Sequence, residues 1–179
     1  NQFIARILPL LPKGGRALDL ATGEGRNGIF LAEHGFEAEG VDMSAVGLEK
    51  AQKLAAEKGV RFAVRQENIA EMVLPPKHYA LIASVFCHFA EPVRTQVLQR
   101  MIDALQPGGM FAGVCYHPAQ IALGAGGPKG AAMLGTLNEM RQALAGLEWL
   151  IAEHEVITLG EGSRHQGESS VLHLLGRKP

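Results

Sequence analysis

The sequence predicts an α/β fold, a doubly wound and mostly parallel sheet that ends in a C-terminal antiparallel hairpin. Over residues 16–116, short apolar segments alternate with longer segments of helical periodicity, as in parallel strands joined by helical crossovers. Near the C-terminal end, two strand-like segments are separated only by the polar stretch "GEGSRHQGES". The 179 residues contain no repeat or linker, so we expect a single domain over residues 1–179.

Seven strands are predicted, and several are near-continuous apolar runs, which is typical of sheets covered on both faces. The predicted strands are residues 16–20, 38–42, 60–65, 79–86, 109–116, 149–159 and 169–176. The last two form the hairpin, which closes one edge of the sheet. Sheets of this kind bind ligands outside the carboxyl ends of their strands, so the candidate site residues are sought there.

Helices are predicted between the strands, and their ends carry capping signals. The predicted helices cover residues 27–34, 44–59, 92–105 and 133–145. Ser44 is the N-cap of the second helix and Gly59 its C-terminal cap. Pro92 takes the first position of the third helix, which the stretch "QPGG" ends.

Composition limits the classes of partner. A net charge of -1 gives no broad basic field, so we expect no nucleic-acid partner and a small-molecule ligand instead. Two cysteines, Cys87 and Cys115, are too few for a secreted disulfide framework and indicate the cytoplasm. No apolar stretch reaches the roughly 20 residues of a membrane span, and no signal-peptide pattern opens the chain. The sequence does not indicate an oligomeric state.

The stretch "LDLATGEGRNGIFLA", residues 18–32, has the glycine spacing G-x-G-x-x-G at Gly23, Gly25 and Gly28. In a Rossmann-like sheet, such glycines let a cofactor approach the backbone and let the following helix pack closely. Asp42, 19 residues after Gly23 and at the end of the second predicted strand, is placed to accept both hydroxyls of a ribose. These features alone fit a dinucleotide or another adenosine cofactor.

Two acidic residues distinguish between these cofactors. Glu24 lies between the first two glycines and Asp19 ends the first strand, so a pyrophosphate placed there would meet two negative charges. Acids suit a ligand with a cationic amine and a sulfonium, and S-adenosylmethionine is such a ligand. The alternative is an NAD(P)-dependent oxidoreductase that uses the same loop.

Four stretches, "LDLATGEGRN", "GVDMS", "SVFCHF" and "LQPGGMF", resemble class I S-adenosylmethionine-dependent methyltransferases. More narrowly, "GEGRN", a downstream "GGPK" and a terminal "H-x-G" resemble the small tellurite-resistance and thiopurine-type methyltransferases. This resemblance implies an enzyme that transfers a methyl group by in-line displacement to a small molecule and releases S-adenosylhomocysteine. A soft sulfur, selenium or tellurium nucleophile is favoured as the acceptor.

The resemblance also implies a set of cofactor-binding residues at the strand ends. These are Asp19, Ala21, Thr22, Gly23, Gly25, Arg26, Asn27, Asp42, Met43, Glu67, Asn68, Ile69, Ser84, Val85 and Phe86. Asp19 and the first two glycines line the methionine end, and Asp42 and Met43 hold the ribose and adenine. Asn68 stands where the family usually has an acid near the adenine amino group. Its side-chain carbonyl, or Glu67, takes that role.

Histidines are the candidate catalytic residues. His88 follows the fourth predicted strand, and His165 lies in the hairpin loop. Both are placed to face a substrate, and His117 after the fifth strand is a weaker candidate. Proximity and orientation supply most of such a transfer, and a base is needed only if the acceptor must lose a proton. Residues 117–135 are expected to cover the substrate side.

Other site classes are less favoured. Cys87-His88 and Cys115-x-His117 end neighbouring strands and suggest a metal site, but adjacent strand residues point to opposite faces, so we expect no metal. The fourth strand ends "SVFC", without the Asn/Asp-Pro-Pro-aromatic element that resembles base-amine methylation. A non-catalytic cofactor-binding protein remains a further alternative.

Overall fold

The chain forms one seven-stranded sheet with helices on both faces. A computed structural model describes residues 1–123, 126–161 and 165–179, without the side chains of residues 161, 165 and 166. The strands are β1 Gly15–Leu20, β2 Phe36–Asp42, β3 Ala63–Gln66, β4 Tyr79–Val85, β5 Leu105–Tyr116, β6 Glu148–Glu161 and β7 His165–Arg177. Their order across the sheet is β3-β2-β1-β4-β5-β7-β6.

The sheet is mixed. β1 to β5 pair in parallel, which confirms the prediction for the first part of the chain. β7 runs antiparallel to both β5 and β6, so the hairpin supplies the antiparallel part. β1 lies between β2 and β4, and the crevice above this reversal of strand order is where open α/β sheets bind ligands.

The six α-helices within the described residues are α1 Gln2–Ile7, α2 Arg26–Glu33, α3 Ala45–Lys58, α4 Val93–Ala104, α5 Gln120–Leu123 and α6 Leu137–Ala143, and short 3-10 helices cover Leu8–Leu10 and Ala131–Met133. The predicted caps of α3 are confirmed. The hydroxyl of Ser44 accepts from the backbone N–H of Gly47 at 3.1 Å, and Gly59 is left-handed with φ +67°.

Several boundaries differ from the prediction. The strand β3 begins at Ala63 and not at residue 60, and Pro92 is the N-cap of α4, not its first helical residue. The helix α4 ends at Ala104, and "QPGG" lies in β5, where the register with β4 shifts between Tyr79 and Leu81. The helix α6 is shorter than residues 133–145, because Thr136 and Glu139 form a capping box that fixes its start. The polar stretch "GEGSRHQGES" is largely strand, since β6 continues to Glu161 and β7 begins at His165.

Two apolar layers cover the faces of the sheet. α1, α2 and α3 pack on one face through side chains such as Phe3, Ile29 and Ala51. α4 and α6 pack on the other face, where Met101 and Met140 belong to the second cluster. Among the helices in the described part of the chain, none has the length and apolarity needed to cross a lipid bilayer. The carboxyl ends of β1, β2 and β4 lie between these layers and carry the candidate site.

Candidate active site

The loop between β1 and α2 has the backbone that its glycines predict. Gly23 and Gly25 have φ of +55° and +80°, in the left-handed region that favours glycine. A Cβ on Gly25 would lie 2.7 Å from the Cβ of Ala51 on α3, so the loop passes too close to that helix for a side chain. The N–H of Gly25 donates to the carbonyl of Thr22 at 2.9 Å, which closes the turn.

Asp19, at the end of β1, is a buried carboxylate with one engaged oxygen. Its Oδ2 accepts from the Thr22 hydroxyl at 2.5 Å and from the backbone N–H of Gly28 at 2.9 Å. Its Oδ1 is buried and has no hydrogen-bond partner among the described residues. Burial raises the pKa of Asp19 to about 6, although the bonds from Thr22 and Gly28 lower it. A cationic donor beside Oδ1 would satisfy this group.

Asp42, at the end of β2, holds the loop from the other side. Its Oδ2 accepts from the backbone N–H of Gly23 and its Oδ1 from that of Ser44, both at 2.8 Å. A carboxylate oxygen accepts more than one hydrogen bond, so each oxygen retains capacity for a ribose hydroxyl. Met43, the next residue, is 65% exposed and provides an apolar surface beside this carboxylate.

The residues after β3 line the crevice next to the end of β2. The N–H of Glu67 donates to the carbonyl of Asp42 at 3.2 Å, which fixes the two strand ends together. The Glu67 carboxylate pairs with Arg65 at 2.9 Å. The side-chain carbonyl of Asn68, a candidate for the adenine amino group, accepts from the N–H of Ala70 at 3.1 Å. Ile69 is buried beneath them.

The end of β4 supplies Ser84, Val85 and Phe86 between the cofactor loop and β5. Ser84 is buried and pairs in register with Leu20 of β1. Phe86 has φ +56°, and its ring stacks on Tyr116 at 4.7 Å. This turn directs the chain from the sheet toward the predicted substrate side.

The structure directs Glu24 away from the place that the sequence argument gave it. Its carboxylate pairs with Lys50 of α3 at 2.8 Å, and both side chains are about half exposed. Lys50 offsets the charge of Glu24, so Asp19, with its unpartnered Oδ1, is the stronger candidate for binding a cation at this loop. Arg26 and Asn27 begin α2 at the edge of the loop, where Arg26 is exposed and Asn27 half-buried.

The candidate catalytic histidines have different surroundings. His88 Nε2 accepts from the backbone N–H of Tyr116 at 3.2 Å, so proton transfer at this nitrogen requires that bond to break. His117 stacks on His154 of β6 at 3.9 Å, and burial lowers its pKa. The side chain of His165 lies outside the described residues. Residues 124 and 125 of the expected cover lie outside them as well.

The sequence argument missed a cavity of about 480 Å³ between the sheet, α4 and the segment before α6. Arg94 lies in its wall, three positions before Val97 on the apolar face of α4. A charged residue on an apolar face was the available signal. Among the described residues, no three His, Cys, Asp or Glu side chains are grouped so as to hold a metal ion, Cys87 and Cys115 included.

A family model described as "Methyltransferase domain" matches residues 17–109, more than half of the chain. The chain belongs to the methyltransferase domain family. S-adenosylmethionine is the cofactor of this methyltransferase domain, and the family does not favour the oxidoreductase alternative.

Curated relatives match part of this methyltransferase domain. A tRNA 5-carboxymethoxyuridine methyltransferase of Escherichia coli is 30% identical over 122 residues, which are 65% of this chain and 46% of that protein. A ubiquinone biosynthesis O-methyltransferase of Marinobacter nauticus is 32% identical over 101 residues, 54% of this chain and 42% of that protein. The chain spans less than half the length of these relatives.

Solved structures share the fold. TehB from Haemophilus influenzae has a TM-score of 0.80 at 16% identity, covering 99% of this chain and 62% of that one. An S-adenosylmethionine-dependent methyltransferase from Mesorhizobium loti has a TM-score of 0.74 at 22% identity, covering 97% and 96%. At these sequence identities, the structural similarity supports the fold of the methyltransferase domain and does not identify its methyl acceptor.

The residues of the site fit S-adenosylmethionine. The unpartnered Oδ1 of Asp19 matches the cationic end of this cofactor, and the paired oxygens of Asp42 match its ribose. The glycine loop leaves its backbone accessible, since nothing lies within 4 Å of a Cβ built on Gly23.

Proposed function

We propose that the protein transfers a methyl group from S-adenosylmethionine to a small-molecule acceptor in the cytoplasm. One observation carries this proposal: Asp19 presents a buried, unpartnered carboxylate oxygen at the head of a glycine loop that Asp42 closes from the other side. A phosphate cofactor would meet repulsion there, whereas an ammonium group would supply the missing hydrogen bond.

In this proposal the residues of the crevice bind and orient the cofactor. Asp19 accepts from the amino group, with Thr22 and the N–H of Gly28 fixing its other oxygen. Asp42 accepts from the ribose hydroxyls, and Met43 and Ile69 contact the adenine. Glu67 or Asn68 receives the adenine amino group. Ala21, Gly25, Arg26 and Asn27 border the methionine end, and Ser84, Val85 and Phe86 lie beneath the cofactor.

When bound, the cofactor supplies a methyl group on a sulfonium, which is already a good leaving group. The chain then has to hold the acceptor's nucleophilic atom in line with the methyl–sulfur bond, an effect worth about 7–11 kcal/mol in well-oriented reactions. We propose a soft sulfur, selenium or tellurium acceptor, because such a nucleophile reacts without a strong general base. The bond between His88 Nε2 and the Tyr116 N–H supports this, since it occupies the nitrogen a base would use.

Calorimetric titration with S-adenosylhomocysteine and, separately, with NADH tests the cofactor assignment. We expect micromolar binding of S-adenosylhomocysteine and none of NADH. Gly23→Val abolishes this binding without unfolding the chain, because valine strains the left-handed backbone of the loop and its side chain enters the cofactor space. The control variant Gly130→Val keeps the affinity for S-adenosylhomocysteine, since Gly130 has open space and an extended backbone. Binding of NADH alone overturns the proposal.

The acceptor class is tested by methyl transfer from labelled cofactor to a panel of thiols, selenols, tellurite and bulk tRNA. We expect label in one of the small molecules. Label in tRNA alone contradicts the small-molecule acceptor and favours a reaction like that named for the Escherichia coli relative.

His165 is proposed to act on the acceptor. We expect His165→Ala to lose turnover while its affinity for S-adenosylhomocysteine stays unchanged. The control is His34→Ala, because His34 contacts the Phe30 carbonyl on the exposed end of α2. Full activity of His165→Ala removes this histidine from the site.

A further inference from the structure

The cavity beneath α4 is an apolar pocket beside the cofactor site. Its floor consists of fully buried side chains of the second apolar layer, such as Met101 of α4, Phe111 of β5 and Leu174 of β7. Its mouth includes the half-buried Cys87 and His88 and the 39% exposed Met133. About 480 Å³ of space free of protein atoms lies within this pocket and at its mouth, and part of that space is open solvent.

This apolar pocket reaches the strand ends that carry the cofactor carboxylates. Ser84 lines the pocket and pairs in register with Leu20, the residue after Asp19. Burial and, to a smaller extent, the negative charges of Asp42 and Asp19 together raise the pKa of the Cys87 thiol to about 12. Cys87 therefore lies within the electrostatic field of both carboxylates, and a molecule in the pocket would end next to the bound cofactor.

The lining carries little free charge. Arg94 is the one lysine, arginine, aspartate or glutamate among the described lining residues. Its Nε donates to the Glu91 carboxylate at 3.0 Å and its Nη1 to the Leu134 carbonyl at 2.8 Å. Burial also raises the pKa of Cys115 to about 12, so both thiols are neutral near pH 7. A charged ligand would lose hydration here without gaining a partner.

Sulfur atoms make this lining adaptable. Both cysteines and three of the six methionines of the chain, Met101, Met133 and Met140, contribute to it. Methionine side chains are flexible and polarisable, so they accommodate apolar ligands of different shape.

We propose that this apolar pocket binds the uncharged, apolar body of the methyl acceptor, with its nucleophilic atom at the mouth near Ser84 and Cys87. The inference rests on the proposed function and narrows it to organic acceptors over oxyanions such as tellurite. The acceptor's heteroatom forms a bond to the methyl carbon as the methyl–sulfur bond breaks. S-adenosylhomocysteine is released, and the acceptor's proton leaves to water at the half-exposed mouth.

The test is direct binding, measured by calorimetry, of three probes that share one naphthalene ring and differ in charge: 2-naphthol, 2-naphthoate and 2-naphthylmethylammonium. We expect 2-naphthol to bind with a dissociation constant of about 0.1 mM or tighter. The anionic and cationic probes bind at least about tenfold more weakly, because their charge is buried without a partner. Equal affinity for all three probes, or no binding of 2-naphthol, overturns the proposal.

A pair of glycine variants locates the probe. A Cβ on Gly135 would lie 3.2 Å from Arg94 Nη1 and 3.3 Å from Met140 Sδ, so Gly135→Leu fills the pocket and weakens 2-naphthol binding at least about tenfold. Gly135→Ala, a milder change, weakens it severalfold. Gly130→Leu in the same segment has open space and keeps the wild-type affinity. Equal binding to all three variants places the probe elsewhere and overturns the proposal.

Saturating S-adenosylhomocysteine separates this pocket from the adenine position. We expect the dissociation constant of 2-naphthol to change less than about twofold, whereas a probe in the adenine position is displaced. If S-adenosylhomocysteine binds and 2-naphthol does not, the pocket proposal fails and the proposed function stands. If 2-naphthol binds and S-adenosylhomocysteine does not, the proposed function fails, and with it the assignment of the pocket to a methyl acceptor.

Discussion

At the scale of single residues, Asp19 is a carboxyl group of the candidate site whose pKa the fold raises toward neutral pH. Burial disfavours the ionised form of Asp19, whereas the hydrogen bonds from Thr22 and the N–H of Gly28 stabilise it. The net result is a pKa of about 6. The proton on Asp19 therefore competes with a cationic ligand for the same carboxylate. Below pH 6 that competition weakens cofactor binding.

We expect the affinity for S-adenosylhomocysteine to fall as the pH is lowered from about 6 to 5 and to be constant from about 6.5 to 7.5. The ammonium group of the ligand favours ionised Asp19, so binding below pH 6 releases a proton. Calorimetry at several pH values, in buffers of different ionisation enthalpy, measures both effects. Asp19→Asn binds more weakly and loses this pH dependence; if it keeps the wild-type profile, another group titrates.

Asp42→Ala is expected to weaken S-adenosylhomocysteine binding about ten- to a hundredfold. The loss of hydrogen bonds to a charged group costs about 1.5–3 kcal/mol, and the N–H groups of Gly23 and Ser44 lose their acceptor. The matched control is Glu37→Ala on the exposed amino-terminal part of β2. Calorimetry with both variants measures the difference, and unchanged affinity of Asp42→Ala contradicts the ribose role.

Sequence spacing located Asp19 and Asp42, because both follow apolar strands whose ends must meet at one edge of a parallel sheet. Sequence spacing did not show which way the Glu24 side chain points. That side chain pairs with Lys50, 26 residues further along the chain, and only the packing of α2 against α3 brings the two together. Nor did spacing show that Asp19 Oδ1 has no partner, since this depends on every group packed around it.

At the scale of elements, the start of α2 depends on its contact with Phe62. A Cβ on Gly28 would lie 2.3 Å from Phe62 Cε2 and 2.4 Å from its Cζ. The third glycine of the loop therefore fixes how closely α2 approaches the segment before β3.

We expect Gly28→Ala to lower the free energy of unfolding by about 1–3 kcal/mol through overpacking. Phe62→Leu frees the space, so the double variant is more stable than the sum of the single effects predicts. Urea denaturation of the four proteins measures this coupling. Gly130→Ala, with open space at its Cβ, stays near the wild-type value. If the effects of the two single substitutions on the free energy of unfolding simply add, the contact with Phe62 does not limit how closely α2 approaches the segment before β3.

Elements with local end signals were predicted best. The ends of α3 match because Ser44 and Gly59 act on neighbouring backbone groups. The start of α6 was missed although Thr136 and Glu139 form a capping box, because the apolar pattern was extended too far toward the amino end. The pocket beneath α4 was not predictable, since it arises from how α4, α6 and β5 leave space between them.

At the scale of the whole molecule, the hairpin completes the sheet that holds the cofactor site. β7 has four apolar side chains without solvent exposure, Val171, Leu172, Leu174 and Leu175, which contribute to both apolar layers. The last part of the sequence is thus as buried as the first strands. We expect both parts to unfold together.

Trp149, the single tryptophan of the chain, lies in β6 and reports on the hairpin by fluorescence. We expect its urea transition to coincide with the circular dichroism transition of the whole chain. Leu172→Ala shifts both transitions together and lowers the free energy of unfolding by about 2–5 kcal/mol. Val156→Ala, at a position 58% exposed on β6, is the control. Separate transitions would show that the hairpin unfolds independently.

The position of β7 affects how the chain folds during its synthesis on the ribosome. The strand β7 is translated after the other six strands, yet it pairs with β5, and Lys178 after it donates to the carbonyls of Ile102 and Leu105 at the end of α4. The roughly 60 residues from Tyr116 to Arg177 take about 3–12 s at about 5–20 residues per second. During that interval the nascent chain presents the apolar edge of β5 without its partner. A chaperone that shields exposed strands would act in this interval.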